Sequence, residues 1–186
     1  MRIIAGLAKG MTLRVPRGDA VRPTSDRVRE AIFSSLGARV VGATVLDLFA
    51  GTGALGLEAA SRGAASVAFV ENARAALDCL QHNIDTFQKN RGIECAVSVV
   101  RAEAFTQLGK FSAETKSFSL LFADPPYGAT AQQLLDAPNL PSLLMDDGVL
   151  VIESAKRDVL TLSLPWKISR EAIYGDTRVS FLARLS

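Results

Sequence analysis

The chain has 186 residues, of which 48% are hydrophobic, so it can bury the core of one ordinary domain but not of two sizeable ones. Its longest apolar runs have the length of strands, which excludes a membrane span, and we expect no secretory signal in the N-terminal residues. The two cysteines, Cys79 and Cys95, are expected to be buried free thiols, so we expect a protein of the reducing cytoplasm.

The net charge of +2 is unevenly distributed along the chain. Residues 1–35 carry seven basic and three acidic side chains, a balance of +4, and the remaining residues carry fourteen basic and sixteen acidic ones, a balance of −2. A basic N-terminal extension on a slightly acidic body is a candidate phosphate-binding surface. An ordinary solvated segment would have the same charge, so composition alone leaves both interpretations open.

The N-terminal extension is predicted to form a hairpin and a helix. Residues 3–4 and 11–15 have the pattern of two short strands on either side of a glycine-containing turn. A helix is predicted to begin near Thr24 or Ser25, either of which could cap it, and to end at Gly37, because apolar residues recur between these points at helical spacing.

From residue 43 onward, predicted strands and helices alternate. Strands are expected at 44–49, 66–71, 95–100, 118–123 and 148–153, and helices at 54–62, 73–89, 103–109 and 130–136. After Pro165 two strands, 166–174 and 178–185, follow each other without a helix between them. The sequence therefore predicts an α/β protein whose mostly parallel sheet ends in an antiparallel hairpin, with an N-terminal extension at 1–40 and a main domain at 41–186.

The loop after the first of these strands satisfies two motifs. Gly51-x-Gly53-x-x-Gly56 fits the dinucleotide fingerprint, and Glu71 lies 20 residues beyond Gly51, where a ribose-binding acid is expected. Asp47, just ahead of the glycines, favours another ligand, because its carboxylate would repel a pyrophosphate and attract the ammonium of a methionine moiety. S-adenosylmethionine is the favoured ligand, with a dinucleotide or an unliganded turn as alternatives.

A second loop, Asp124-Pro125-Pro126-Tyr127, follows the predicted strand 118–123. The two prolines remove N–H donors and fix φ, so the segment is stiff and presents two acceptors, the Asp124 carboxylate and the Pro125 carbonyl. Acceptors on both hydrogens of an exocyclic amino group favour the pyramidal form, whose lone pair points at a methyl donor, and Tyr127 would stack on the base. The alternative is a proline-rich turn with a surface tyrosine.

Motifs of one family extend over nearly the whole chain. They lie at residues 2–6, 22–30, 47–57, 61–64, 69–71, 124–127 and 174–177. The most specific of them is Arg-Pro-Thr-Ser-Asp-Arg-Val-Arg-Glu, which runs from Arg22 to Glu30. In these motifs the chain resembles the RsmD-type methyltransferases, a family that makes N2-methylguanine in bacterial 16S ribosomal RNA. Ala5 departs from the pattern, since family members usually have a second glycine there.

The resemblance implies a class I methyltransferase (Rossmann-like) fold with a seven-stranded sheet, S-adenosylmethionine as cofactor, and 16S rRNA or an assembled small-subunit particle as partner. We expect a monomer that binds no metal and no membrane. The residues implied for the target-base clamp are Asp124, Pro125, Pro126 and Tyr127. Those implied for cofactor binding are Thr24, Asp47, Gly51, Thr52, Gly53, Glu71, Asn72 and Glu103. Those implied for RNA binding are Arg22, Arg27 and Arg29.

The sequence leaves several alternative residue roles and protein classes open. Glu103 could instead be an acid in the first turn of a helix, and residues 22–29 could be a salt-bridged helix start. His82, the sole histidine, is expected to be a surface or structural residue. Methylases of DNA adenine or protein glutamine use a similar clamp, usually with Asn at its first position. A dehydrogenase and a non-catalytic RNA-binding module are the other two classes of protein to consider.

Overall fold

The computed structural model describes residues 1–16, 25–89, 92 and 94–185. Its strands are β1 (Thr44–Leu48), β2 (Ser66–Glu71), β3 (Ala96–Arg101), β4 (Phe118–Ala123), β5 (Leu144–Ala155), β6 (Trp166–Tyr174) and β7 (Thr177–Arg184). Its helices are α1 (Asp26–Leu36), α2 (Ala54–Ser61), α3 (Arg74–Phe87), α4 (Ala104–Ala113) and α5 (Thr130–Leu135). Short 3-10 turns occupy Gly37–Val40 and Pro141–Leu143.

The seven strands form one sheet in the order β3-β2-β1-β4-β5-β7-β6. The pairs from β3 to β5 are all parallel, and β7 runs antiparallel to both of its neighbours. The α/β class and the C-terminal antiparallel hairpin predicted from the sequence are therefore confirmed. Crossover helices can cover a parallel sheet on both faces, which explains the apolar character of its central strands.

The predicted strand boundaries agree to within a few residues. The strands at 66–71 and 118–123 coincide with the prediction, whereas β5 begins four residues earlier than the predicted strand at 148–153. Cys95 lies just before β3, an edge strand that is itself mostly exposed, and is only partly buried, so the expectation that it is buried is wrong. Its partial burial raises the pKa of its thiol. Cys79 is buried on α3, and both cysteines are free.

Alternate residues of the central strands pack against helices on opposite faces of the sheet. Val45 and Phe122 lie in a cluster with apolar residues of α1, α2 and α3, while Leu46 and Leu121 lie in a second cluster with residues of α4 and α5. Ile3, in the N-terminal segment, is fully buried in the first cluster. No helix in the described part of the chain is long and apolar enough to span a membrane.

The predicted N-terminal hairpin is present as a short antiparallel pairing. A bridge joins Arg2 to Thr12, and the N–H of Ile3 donates to the carbonyl of Met11 (2.9 Å). The carbonyl of Ile3 in turn accepts from the N–H of Gly10 (2.9 Å). Glu58 of α2, itself fully buried, accepts hydrogen bonds from the next two backbone N–H groups, those of Ile4 (2.7 Å) and Ala5 (3.0 Å). These donors are used by a side chain rather than by a partner strand, so the pairing does not extend beyond Ile3.

Helix α1 has the ends that the sequence predicts. The Ser25 hydroxyl accepts a hydrogen bond from the N–H of Val28 (3.2 Å), so Ser25 is the N-cap. Gly37 follows the helix with φ of 54°, in the left-handed region that glycine tolerates. Thr24, the other predicted cap, lies outside the described residues.

Candidate active site

The two loops identified in the sequence leave the sheet side by side. We call residues 49–53, after β1, the glycine loop and residues 124–127, after β4, the proline loop. β1 and β4 are parallel neighbours in which Leu48 pairs with Ala123, so the chain leaves both strands at the same edge. From β1 the sheet extends through β2 on one side and through β4 on the other, and ligands of open α/β sheets bind at such a switch point.

Asp47 is buried at the end of β1 and fixes the start of α2. Its Oδ2 atom accepts a hydrogen bond from the backbone N–H of Gly56 (2.9 Å), one of the first-turn donors of α2 that have no partner within the helix. The N-cap position of α2 is Gly53, which has no side chain to accept such a bond. A strand residue therefore caps the helix, and this places a carboxylate beside the glycine loop.

Packing and backbone conformation explain why glycines occur here. Gly53 has a φ of +80°, and a Cβ atom at this position would overlap with the Cδ1 atom of Leu80. A Cβ atom at Gly56 would overlap with the ring of Phe69. Gly51 also has a positive φ (+55°), but its Cβ position is open, with the nearest atom 3.9 Å away. Gly53 thus lets the loop lie close to the core, whereas Gly51 leaves room for a ligand.

Glu71 joins the end of β2 to the glycine loop. Its Oε2 atom accepts a hydrogen bond from the N–H of Gly51 (2.7 Å). Its Oε1 atom accepts bonds from the N–H groups of Asn72 and Ala73, both at 2.8 Å. Asn72 is exposed beside it, and Thr52 is buried within the loop. The carboxylate is held by three backbone donors at the switch-point edge.

Three carboxylates give this edge a negative potential. Burial raises the pKa of Asp47 well above its ordinary value of 3.8, the Gly56 hydrogen bond opposes that rise, and the charges of Asp124 and Glu71 add to it. Such an environment disfavours a further anion and favours a cationic ligand. Within the described ranges, no group of three or more His, Cys, Asp or Glu residues is arranged to hold a metal ion.

The proline loop is stiff and partly exposed. Asp124 is half-buried, Pro125 is buried, and Pro126 and Tyr127 are exposed, with 45% of the Tyr127 surface accessible. The structure thus places a carboxylate and an aromatic ring at the same edge as Asp47. Their roles as a base clamp stay predictions.

Two further elements hold the proline loop, and sequence reasoning missed one of them. The hydroxyl of Tyr127 lies 3.5 Å from that of Thr177, the first residue of β7. The N–H of Gly128 donates to Oδ2 of Asp158, in the loop after β5 (3.2 Å). Thr177 belongs to one of the family motifs, but no sequence signal marked Asp158. Both contacts reach across at least 30 residues of chain.

Glu103 caps α4 with both of its carboxylate oxygens. Oε1 accepts a hydrogen bond from the N–H of Phe105 (3.0 Å), and Oε2 accepts one from the N–H of Thr106 (2.8 Å). Partial burial raises the pKa of Glu103, but the hydrogen bonds from Thr106, Phe105 and Ala104 outweigh it and the pKa is lowered. The geometry favours the helix-terminus alternative, and an adenine-binding role stays a prediction.

The arginines predicted to bind RNA have different environments. Arg22 lies outside the described residues, as does Thr24, whereas Arg27 is exposed on α1. The prediction for Arg29 is contradicted by its burial: its side chain has no accessible surface. Its guanidinium donates to the carbonyl of Arg2 (2.6 Å) and to Asp26 (2.9 Å). Arg29 therefore ties α1 to the N-terminal segment.

Helix α3 carries two further polar residues, His82 and Asn83. His82 is exposed, as expected of a surface residue. Asn83 is fully buried and contacts the glycine loop through Thr52, a contact that sequence reasoning missed. A signal was present, because Asn83 occupies a position of the stripe formed by Leu80, Ile84 and Phe87, where an apolar residue is expected.

Comparison with known proteins identifies the family to which this chain belongs. The family described as conserved hypothetical protein 95 matches the chain over residues 1–183. The chain belongs to this family. It is the RsmD-type family that the sequence motifs indicated, and an Escherichia coli (strain K12) relative named ribosomal RNA small subunit methyltransferase D is 34% identical over 177 residues. The match covers 94% of this chain and 85% of that relative.

A second relative and two solved structures are similar to this chain over most of its length. A Haemophilus influenzae protein, also named ribosomal RNA small subunit methyltransferase D, is 32% identical over 94% of this chain and 89% of its own length. The structure of the Escherichia coli protein yhhF superposes with a TM-score of 0.79 at 34% identity, covering 100% of this chain and 98% of that one. The Thermus thermophilus protein TTHA0928 gives a TM-score of 0.79 at 30% identity, with coverage of 100% and 99%. The class I methyltransferase (Rossmann-like) fold is confirmed.

Proposed function

We propose that this protein transfers a methyl group from S-adenosylmethionine to the exocyclic N2 amino group of a guanine in small-subunit (16S) ribosomal RNA. The observation that carries the proposal is that the glycine loop and the proline loop lie side by side, fixed by the pairing of Leu48 with Ala123. One loop suits the cofactor and the other suits an amino group. Methyl transfer requires these two reactants to be held next to each other.

The charges around the glycine loop fit this cofactor. S-adenosylmethionine carries a sulfonium and an ammonium group, and the edge that holds Asp47, Glu71 and Asp124 favours cations. Asp47 would hold the ammonium end. Glu71 would hold the ribose through Oε2, which accepts one backbone bond and keeps capacity for a hydroxyl, whereas Oε1 already accepts two backbone bonds. The same carboxylates disfavour the pyrophosphate of a dinucleotide.

The proline loop supplies the groups that make an amino nitrogen nucleophilic. In our proposal, Asp124 and the carbonyl of Pro125 accept hydrogen bonds from the two amino hydrogens, and the exposed ring of Tyr127 stacks on the base. When bound, the cofactor supplies an electrophilic methyl group. Asp124 or solvent then accepts the proton that the amino nitrogen releases. A paired guanine could not reach this loop, so the target base is unpaired or flipped out.

The substrate class is supported by the names of the relatives. Both the E. coli and the H. influenzae relatives are named as methyltransferases of small-subunit ribosomal RNA, and each matches 94% of this chain. The choice of guanine N2 rests on the resemblance to the RsmD-type family. It also agrees with an Asp, rather than an Asn, at the first position of the proline loop.

A substrate panel tests the proposal. The purified protein is incubated with labelled S-adenosylmethionine and, separately, naked 16S rRNA, small-subunit particles from cells that lack the protein, duplex DNA and a protein extract. We expect N2-methylguanosine, identified by mass spectrometry of nucleosides, in one of the two RNA samples. The Asp124→Ala variant is the matched control and should give far less product. Methylation of adenine in DNA or of glutamine in protein would contradict the proposal.

A further inference from the structure

Asn83 is a buried polar residue that the proposed chemistry does not use. It lies on the inner face of α3, between Leu80 and Ile84, and its side chain has no accessible surface. A buried amide destabilises the fold unless its donors and acceptor are all hydrogen-bonded. The partners of Asn83 therefore indicate why an amide occurs where an apolar residue would pack.

The amide of Asn83 bonds two segments that are distant in sequence. Its Oδ1 atom accepts a hydrogen bond from the N–H of Arg14 (2.7 Å), and its Nδ2 atom donates to the carbonyl of Arg14 (3.0 Å). Nδ2 also donates to the carbonyl of Thr52 (3.0 Å). Only one orientation of the amide satisfies all three contacts. Rotation by 180° would place the amide NH₂ group against the N–H of Arg14 and the amide oxygen against the two carbonyls.

These partners belong to two functional regions of the molecule. Thr52 lies in the glycine loop, between Gly51 and Gly53. Arg14 is exposed and lies in the basic N-terminal segment. Glu58 and Ser61 of α2 hold residues 4–8 of that segment. Asn83 holds its later part, and it does so through a side chain that also holds the glycine loop.

We propose that Asn83 is a positioning residue that couples cofactor binding to the placement of the N-terminal segment. One amide group orients the Thr52 carbonyl and the Arg14 backbone, so ordering either segment favours the order of the other. Such coupling is reciprocal: cofactor binding stabilises the placement of Arg14, and a ligand that fixes Arg14 raises cofactor affinity. This inference rests on the proposed function, because it takes the glycine loop to be the cofactor site.

Substitutions at Asn83 and at a matched remote residue test the coupling. Asn83→Asp keeps the acceptor for the Arg14 N–H but loses both donated bonds, and Asn83→Ala loses all three. Trp166→Phe is the control, because it removes one buried hydrogen bond, from Nε1 to the carbonyl of Leu135 (3.1 Å), at the opposite edge of the sheet. Affinity for S-adenosylhomocysteine is measured by calorimetry, and stability by thermal unfolding.

We expect Asn83→Asp to lower affinity for S-adenosylhomocysteine by about fivefold or more, as the loss of hydrogen bonds that orient the loop should do. Trp166→Phe should leave the affinity within about twofold at a similar loss of Tm, which separates positioning from general destabilisation. Equal affinities in the wild-type protein and Asn83→Asp would overturn the proposal.

Hydrogen exchange of the wild-type protein provides a test that does not depend on any variant folding. Addition of S-adenosylhomocysteine should slow amide exchange in peptides covering residues 11–16 as well as in the glycine loop. Protection confined to the glycine loop would overturn the coupling and leave the proposed function intact. If the wild-type protein bound no S-adenosylhomocysteine, both the coupling and the proposed function would fall.

Discussion

Asp47→Asn should stabilise the protein without its cofactor and weaken cofactor binding at the same time. An asparagine keeps an oxygen that can accept the Gly56 N–H and has nearly the same shape, but it removes the charge. Burial and the neighbouring charges of Asp124 and Glu71 raise the pKa of Asp47. The charged form is therefore disfavoured in the folded protein relative to the unfolded chain.

The sign of the pH dependence follows from proton linkage. Because the folded pKa lies above the unfolded value near 3.8, the folded state binds more protons than the unfolded state between the two values. The contribution of Asp47 to stability therefore falls as pH rises through this window and stays low above it. Asparagine does not titrate, so the Asp47→Asn variant does not lose stability in this way. Its gain in the free energy of unfolding over the wild-type protein should be small at acid pH and largest above the folded pKa of Asp47.

The expected magnitudes are large enough to measure. Because burial raises the pKa of Asp47 well above its ordinary value, we expect Asp47→Asn to be more stable than the wild-type protein at pH 8, with a difference that grows as pH rises. Loss of a charge-assisted hydrogen bond to an ammonium costs about 1.5–3 kcal/mol, which is roughly a 10- to 100-fold weaker affinity for S-adenosylhomocysteine.

Two assays check both directions of the Asp47→Asn effect. Urea unfolding from pH 5 to pH 8 without ligand gives the stability difference, and calorimetry at pH 8 gives the affinity for S-adenosylhomocysteine. A variant that is less stable than the wild-type protein across this range, or that binds the ligand equally well, would refute the assignment of Asp47 as the buried anion for a cationic ligand.

Three other predictions concern the proline loop, the glycine loop and the arginines of α1. Asp124→Ala should lower the rate of methyl transfer by a factor of roughly 10²–10⁴ and leave the affinity for S-adenosylhomocysteine nearly unchanged. An unchanged rate constant in single-turnover assays would contradict the clamp. In urea unfolding, Gly53→Ala should lower the free energy of unfolding more than Gly10→Ala does. Both glycines have a positive φ, but of the two only Gly53 lacks room for a Cβ atom. Arg29→Ala should cost about 1–3 kcal/mol of stability, whereas Arg27→Ala should cost little but reduce the salt slope of RNA binding by about 1. Equal slopes for wild type and Arg27→Ala would exclude a phosphate contact.

The strands and the two loops could be predicted from the sequence because their signals are local. Buried parallel strands are continuous apolar runs, as in Phe118–Ala123, and each candidate loop begins where such a run ends. Strands that pair in parallel present their carboxyl ends at one edge. Two motifs that both follow strands can therefore be expected to lie close together, as the pairing of Leu48 with Ala123 places them.

The burial of Arg29 could not be predicted because its partner is distant in sequence. An arginine in a charged segment at a helix start has the pattern of a solvated or phosphate-binding residue. The carbonyl of Arg2, 27 residues away, accepts its hydrogen bond only because the N-terminal segment packs against α1. The same kind of tertiary contact, from Ile4 and Ala5 to Glu58, ends the pairing of the N-terminal hairpin at Ile3.

At Asn83 the sequence contains a signal of a buried contact but does not reveal the partners of that contact. An amide at an apolar position of α3 indicates a buried hydrogen-bond network. Its partners, Arg14 and Thr52, are 69 and 31 residues away, and periodicity carries no information about such contacts.

A crystal structure with S-adenosylhomocysteine bound would test most directly whether the glycine loop and the proline loop form one site. We expect the ligand's amino group at Asp47, its ribose at Glu71 and its sulfur on the side that faces Asp124. The chain has another cavity, of about 370 Å³, lined by Phe105 and Leu108 of α4 and Gln133 of α5. Ligand bound in that cavity, or with its sulfur turned away from Asp124, would contradict a methyl-transfer site at the junction of β1 and β4.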